Sequence, residues 1–171
     1  MTRSLDLKIE PLDQSHDRTQ FDCGNEVLNQ YLRTQAKQDL RRDLAQTYVL
    51  VQEDRSVVGY YTLSASSIEH THLPDEARKK LPRYPIPAAL IGRLAVDQRI
   101  QQQGFARQLL SDALHRAVAM SRTLGIHALV VDAKDEDSAA FYQKFGFIPL
   151  NDSPRHLYLP IKTIQAAISP R

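Results

Sequence analysis

Apolar and polar residues alternate at the start of the chain. Leu5, Leu7 and Ile9 stand against Asp6, Lys8 and Glu10, which predicts a first strand. The turn residues Phe21-Asp22-Cys23-Gly24-Asn25 precede a change of period. Leu28, Tyr31, Leu32 and Ala36 recur at three- and four-residue steps, which predicts a helix with one apolar face and a charged end over 37–42. The β-branched and aromatic runs 47–51 and 57–63 predict two strands, with Glu53-Asp54-Arg55-Ser56 as their hairpin turn. Pro74, Pro82, Pro85 and Pro87 then interrupt 73–87 and argue against a long strand or helix there. A strand over 90–96 and a Gln-rich loop over 97–106 follow. Leu110, Ala113, Leu114, Ala117 and Leu124 predict a long amphipathic helix closed by Gly125. The remaining elements are a buried strand over 128–131, a helix over 138–145 stopped by Gly146, strands over 147–150 and 157–161, and a last strand or short helix.

This order is βαββ, an irregular segment, then βαβαβ. It predicts a mixed α/β fold whose sheet carries helices on both faces. The length of 171 residues fits a single domain over 1–171. Apolar residues make up 42 %, enough for a sizeable core, and charged residues 25 %. Lys and Arg exceed Asp and Glu by only 2, so neither an acidic disordered chain nor a polycation is expected, although local basic faces remain open. One cysteine, Cys23, argues against an intrachain disulfide framework and against cysteine-rich zinc modules. The six histidines are scattered without metal-ligand spacing, and no metal is expected. No apolar run approaches the roughly 18–20 residues of a membrane span, and the N-terminus lacks signal-peptide character. A cytoplasmic protein with no membrane partner is the expectation.

Two stretches carry candidate chemistry. In the first, the strand ending Leu94-Ala95-Val96-Asp97 leads through Gln101-Gln102-Gln103-Gly104-Phe105-Ala106-Arg107 into a helix. Main-chain N–H groups converging on a helix N-terminus suit a phosphate group, and Gly104 and Ala106 are small enough for close approach. An ordinary strand–loop–helix crossover reads equally well. The stretch is neither a P-loop, which needs Gly-Lys-Ser/Thr, nor the dinucleotide fingerprint, which needs three glycines. The second stretch is Ser138-Ala139-Ala140-Phe141-Tyr142-Gln143-Lys144-Phe145-Gly146-Phe147. Tyr142 is either a core tyrosine whose hydroxyl is satisfied by a main-chain carbonyl, or a phenol facing a cleft.

Taken in this order and spacing, the Gln101–Ala106 loop and Phe141-Tyr142 with Gly146-Phe147 resemble the GNAT N-acetyltransferase superfamily. Phe21-Asp22-Cys23-Gly24, Gly92-Arg93-Leu94-Ala95-Val96-Asp97 and Asp132-Ala133-Lys134-Asp135 narrow the resemblance to the GNAT toxins of type II toxin–antitoxin systems, which acetylate aminoacyl-tRNA. The resemblance implies a sheet of six to seven strands with a splay between the fourth and fifth. It implies acetyl-CoA as cofactor, held by Leu94, Ala95 and Val96, by the loop from Gln101, Gln102 and Gln103 through Gly104, Phe105, Ala106 and Arg107, and by Ser138 and Phe141. Tyr142 is the implied catalytic acid. Many family members carry Asn where Asp135 stands and Ala where Ser138 stands, a departure at a position that often holds the cofactor arm.

The implied partners are aminoacyl-tRNA, a ribbon-helix-helix antitoxin and a second copy of the chain. Arg41, Arg42, Arg78, Lys79, Lys80, Arg83 and Arg93 are the candidate RNA contacts, although clusters of this size also read as solvated faces. The strand 90–96 contains no carboxylate to act as base. An α-amine, with a pKa of about 7.7–8.0, needs far less help to deprotonate than a lysine at about 10.4, which favours an aminoacyl ester as acceptor. Alternative readings are a GNAT enzyme acting on a small amine or a protein N-terminus, and a non-catalytic binding module with the same shell.

Overall fold

The computed structural model describes residues 6–168. The chain runs β1 (Lys8–Pro11), α1 (Glu26–Gln30), a π-helical turn (Tyr31–Gln35), α2 (Ala36–Arg41), β2 (Gln46–Val51) and β3 (Val57–Ile68). It continues through α3 (Asp75–Lys80), β4 (Ile86–Val96), α4 (Phe105–Ser121), β5 (Ala128–Asp132), α5 (Glu136–Lys144), β6 (Ile148–Leu150), β7 (Ser153–Pro160) and α6 (Ile161–Ile168). The described strands form a seven-stranded sheet in the order β1-β2-β3-β4-β5-β7-β6. β4 and β5 pair in parallel, while β1–β2, β2–β3, β5–β7 and β6–β7 are antiparallel, so the sheet is mixed as the alternation of elements implies. Leu5, the first apolar position of the expected opening strand, lies outside the described residues.

The described chain divides into two compact units. One comprises the residues up to Ser64 together with Gly92–Ala113, the other Ala65–Ile91 together with the residues from Leu114 onward. In the first unit the helical face read from the sequence is buried: Tyr31, Leu32 and Ala36 pack with Phe21, Val49 and Tyr60. Phe21 meets the Tyr60 ring edge-on, with centroids 5.6 Å apart. The Asn25 side chain starts the helix by accepting from the Leu28 N–H at 3.2 Å. The π turn over Tyr31–Gln35, which the three- and four-residue periodicity does not announce, splits the expected single helix into α1 and α2.

In the second unit Ile68, Leu73, Ile86, Leu150 and Tyr158 share a cluster with β5 residues Ala128 and Val130. Two expectations change here. The proline-rich segment holds a short helix, α3, which begins directly after Pro74 and ends before Pro82. A proline ahead of the first turn costs a helix nothing, because those N–H groups have no helical partner. β4 begins at Ile86, four positions ahead of the expected start at Leu90, and takes in Pro87. Proline lacks an N–H, but its carbonyl still serves the sheet margin: the His127 N–H donates to Pro87 O at 2.9 Å. Residues 161–168 resolve the final element as a helix.

One buried acid organises the first unit. Asp97 follows β4 and is 1 % exposed. Its Oδ2 accepts from the Asp22 N–H at 3.1 Å, and its Oδ1 accepts from the Arg99 N–H at 3.0 Å. The Arg99 guanidinium donates to both oxygens, at 2.8 and 2.9 Å. Burial works to raise the Asp97 pKa, but these hydrogen bonds together outweigh it and hold the carboxyl below its ordinary value. Asp97→Asn is expected to destabilise the protein by about 2 kcal/mol near neutral pH, the usual scale for hydrogen bonds to a charged group. A carboxyl depressed in the folded state contributes stability above its unfolded pKa and loses it as pH falls through the folded one. Urea unfolding should therefore show the gap between wild type and variant narrowing below about pH 4; a gap that is constant with pH would contradict the assignment.

Candidate active site

The parallel register of β4 and β5 runs from Ala88↔Ala128 to Ile91↔Val131, and β4 continues through residues 92–96 beyond that last pair. Leu94, Ala95 and Val96 thus lie past the β5 pairing, where the sequence reading puts the splay. Beyond Asp97 the chain makes a 3-10 turn over Gln98–Ile100 and reaches the exposed loop 101–104. Gln102 and Gly104 both take left-handed backbone angles, φ 63° and 88°. Turns of this kind gather successive main-chain N–H groups into an anion-binding concavity. A Cβ on Gly104 would meet nothing within 4 Å, so the space above the loop is open. The first helical bond of α4 joins the Gln108 N–H to Gly104 O at 3.1 Å. The main-chain N–H groups of Phe105, Ala106 and Arg107 therefore lie ahead of the helical ladder.

The Gln101 side chain has a different task from its main chain. Its amide donates to Val96 O at 2.9 Å and to Cys23 O at 3.1 Å, and so is committed to holding the loop. The Phe21-Asp22-Cys23-Gly24 turn braces the same loop. Asp22 accepts from the Gln98 N–H at 2.9 Å through its carbonyl and from the Gly24 N–H at 2.9 Å through its carboxylate. Gly24 has φ 89°, and a Cβ there would lie 2.5 Å from the Gln98 side chain. Asp22, Asp97 and the Gln101 side chain are positioning residues that sequence reasoning did not assign. For Asp22 and Asp97 the only local signal is an acid beside a tight turn.

In the second unit, α5 carries the other candidate stretch. Asp135 caps it by accepting from the Ser138 N–H at 2.8 Å, and that bond holds its carboxyl below the ordinary value. An Asn cap makes the same bond, so Asp for Asn costs the helix nothing. Tyr142 is 7 % exposed. It is enclosed by Phe141, edge-on at 5.3 Å, and by Phe147 at 5.5 Å, while Phe141 also meets Phe145 at 5.1 Å. Burial raises the Tyr142 pKa, so the phenol stays protonated. Among the described residues its hydroxyl makes no hydrogen bond, unlike that of the core Tyr60, which donates to Leu28 O at 2.8 Å. The Tyr142 hydroxyl oxygen is not among the polar atoms buried without a partner, so it reaches solvent at the surface of an otherwise buried ring and is open to a ligand atom.

The basic candidates fall into separate settings. Arg41 and Arg42 are exposed at the end of α2, and Arg41 lines a cleft of about 460 Å³ with Arg18, Lys37 and Leu40. In the other unit, Arg78, Lys79 and Arg83 line a cleft of about 730 Å³ with His70 and Thr71. Lys80 is exposed on the same helix. Part of this charge is spent locally: Arg78 pairs with Asp75 at 2.5 Å and Lys79 with Glu76 at 3.8 Å. Arg93 is half-buried, with its guanidinium carbon 3.6 Å from the centre of the Tyr31 ring.

Comparison with known proteins bears on this arrangement. A model of the acetyltransferase (GNAT) domain matches residues 44–149, which include β4, the 101–107 loop and the whole α5 stretch. The tRNA-acetylating toxin of Mycobacterium tuberculosis is 34 % identical over 157 residues, covering 92 % of this chain and 93 % of that protein. Among solved structures, AtaT complexed with acetyl-methionyl-tRNAfMet is 38 % identical with a TM-score of 0.90, covering 96 % of this chain and 100 % of that one. A mutant AtaT toxin bound to the C-terminus of the antitoxin AtaR and acetyl-CoA is 35 % identical with a TM-score of 0.82, covering 96 % and 99 %. A strand that outruns its parallel neighbour, a main-chain nest at a helix start and a buried, unengaged phenol thus occur in a chain that belongs to the GNAT acetyltransferase family.

Proposed function

We propose that the protein is an acetyl-CoA-dependent N-acetyltransferase toxin. It transfers acetyl to the α-amino group of aminoacyl-tRNA, blocks translation and is neutralised by a cognate antitoxin. The observation that carries the chemistry is the Tyr142 hydroxyl, borne on a buried ring and engaged by no described residue. The likeness to the tRNA-acetylating toxin and to AtaT supports the acceptor.

The residues present fit the coenzyme. The main-chain N–H groups of Gln102, Gln103, Gly104, Phe105, Ala106 and Arg107 suit a diphosphate, for which the left-handed turns and the helix start provide converging donors. Leu94, Ala95 and Val96 offer strand main chain to a run of amides, and Ser138 and Phe141 are assigned to the same coenzyme. Acetyl-CoA, when bound, supplies the activated acyl thioester. Tyr142 then donates to the leaving sulfur. A thiol has a pKa of about 8.5 and the phenol more than about 10, so the hydroxyl acts first as a hydrogen-bond donor to developing negative charge. A main-chain N–H near Ala95 or Val96 supports the oxyanion.

No side chain of β4 is a carboxylate, and Asp97 at its end is consumed by Asp22 and Arg99. The acceptor must therefore arrive with a substantial neutral fraction. An α-amine beside an ester meets that condition, and a lysine does not. Arg41, Arg42, Arg78, Lys79, Lys80, Arg83 and Arg93 are assigned to RNA phosphates. With a net charge of only +2, that binding is modest and salt-sensitive. The antitoxin is assigned to the ribbon-helix-helix class and the toxin to a homodimer.

In an assay with labelled acetyl-CoA and charged tRNA, label should appear on a ribonuclease-sensitive product. Tyr142→Phe should lower kcat by about 100-fold or more, the range of a general acid, with thermal unfolding little changed. An unchanged kcat would remove Tyr142 from the chemistry. The pH profile supplies a second check. Below the acceptor amine's pKa, kcat/KM should rise about tenfold per pH unit, then flatten near pH 7–8. Because burial keeps Tyr142 protonated, no fall is expected up to about pH 10; a descending limb near pH 9 would point to a different acid.

A further inference from the structure

Arg93 presents a problem that the proposed function leaves open. It is half-buried on β4 and its guanidinium lies over the Tyr31 ring, yet among the described residues it donates no hydrogen bond and forms no ion pair. A guanidinium has five donors in a planar fork, and none of the Arg93 nitrogens is buried without a partner, so they face solvent. Stacking on an aromatic face fixes the group and leaves those N–H edges available.

The platform beneath it is itself built. Tyr31 is 5 % exposed and stacks on Tyr60, with centroids 6.3 Å apart and planes at 11°. Its hydroxyl donates to Asp39 Oδ2 at 2.7 Å. Burial and that bond push the Tyr31 pKa up to about 12, so it remains the donor. Asp39 is in turn held by Gln35, whose amide donates at 3.0 Å. The π turn makes this pairing possible. At about 100° per residue, positions eight apart on an uninterrupted α-helix stand about 80° apart. The wider π turn absorbs about one extra residue, so Tyr31 and Asp39 behave like an i,i+7 pair, about 20° apart on one face. On β4, Arg93 and Ala95 lie two apart and so share a face. Ala95 belongs to the same cluster as Tyr31 and Tyr60.

We propose that Tyr31 is a positioning residue: with Asp39 and the π turn it holds the Arg93 guanidinium so that its free edge receives one phosphodiester of the acceptor strand of the RNA substrate. This rests on the aminoacyl-tRNA reading. The choice of anion follows from the acceptor's chemistry. The amino acid's carboxyl is an ester and carries no charge, so the anions near the reacting amine are backbone phosphates, which match a guanidinium fork.

Steady-state kinetics on charged tRNA test it. Tyr31→Leu should raise the KM for tRNA about tenfold, with kcat and the KM for acetyl-CoA within about twofold; Tyr31→Phe, which keeps the ring, should raise it only about two- to threefold. Arg93→Gln should raise the tRNA KM similarly and flatten its dependence on log salt by about 0.7, the loss of one single-strand phosphate contact. Arg93→Lys should keep the salt slope without restoring the KM. In the Arg93→Gln background, Tyr31→Leu should add nothing, because Tyr31 acts through Arg93. Effects that multiply in the double variant, an unchanged salt slope in Arg93→Gln, or a Tyr31→Leu effect spread equally over kcat and both KM values would overturn it. A wild-type protein that acetylates no charged tRNA would sink the functional reading itself. Failure of the inference alone shows only in the variants.

Discussion

A carboxylate that has lost its water must find donors within the protein, and at Asp97 this requirement shapes everything around it. The donors available are the Asp22 N–H, the Arg99 N–H and the Arg99 guanidinium. Satisfying them draws the 22–24 turn onto the end of β4 and closes the 3-10 turn over Gln98–Ile100. Leaving any of them unmade would strand a buried charge at a cost of several kcal/mol. The loop 101–104 consequently departs from a fixed point, and the Gln101 side chain clamps it again through Val96 O and Cys23 O. A loop that must bring several N–H groups to bear on one anion gains from such bracing, since mobile donors would lose entropy on binding.

Polar satisfaction separates scaffold from chemistry in this molecule. Asp22, Asn25, Asp97 and Asp135 are each engaged by main-chain N–H groups and hold turns or helix starts. Tyr142 sits between two aromatic residues of its own stretch, Phe141 and Phe147, with its hydroxyl unengaged. Arg93 sits over Tyr31 with its donors unengaged. Both incomplete groups are the ones to which the proposed function assigns ligand atoms, a leaving sulfur for Tyr142 and a phosphate for Arg93. Net charge alone would not have revealed the second.

Much of the architecture was visible in periodicity. The step from period two to period three and four at Leu28 marked the first helix, and the runs 47–51 and 57–63 marked the hairpin. The Gln-rich loop and the Phe141-Tyr142 stretch were visible because both combine small or turn-forming residues with a change of period. The short helix α3 was not, since four prolines obscure a segment that needs only six residues between Pro74 and Pro82. The early start of β4 was hidden by Pro87, whose carbonyl pairs although its nitrogen cannot.

By itself the sequence determined most of the strands and helices, α3 and the final helix excepted, because side-chain period is set by local backbone geometry. It also determined where the chain turns, because Gly, Pro, Asn and Asp act on the backbone beside them. Only the tertiary structure decided what Asp22, Asp97, Gln101 and Tyr31 do. The Asp22–Asp97 bond joins residues 75 positions apart, and the Gln101–Cys23 bond residues 78 apart. Such contacts leave no trace in any local window, since their partners meet only after the sheet has brought them together. The π turn belongs to the same class: it is stabilised by what Tyr31 and Asp39 reach on folding, not by the propensities of the five residues that form it.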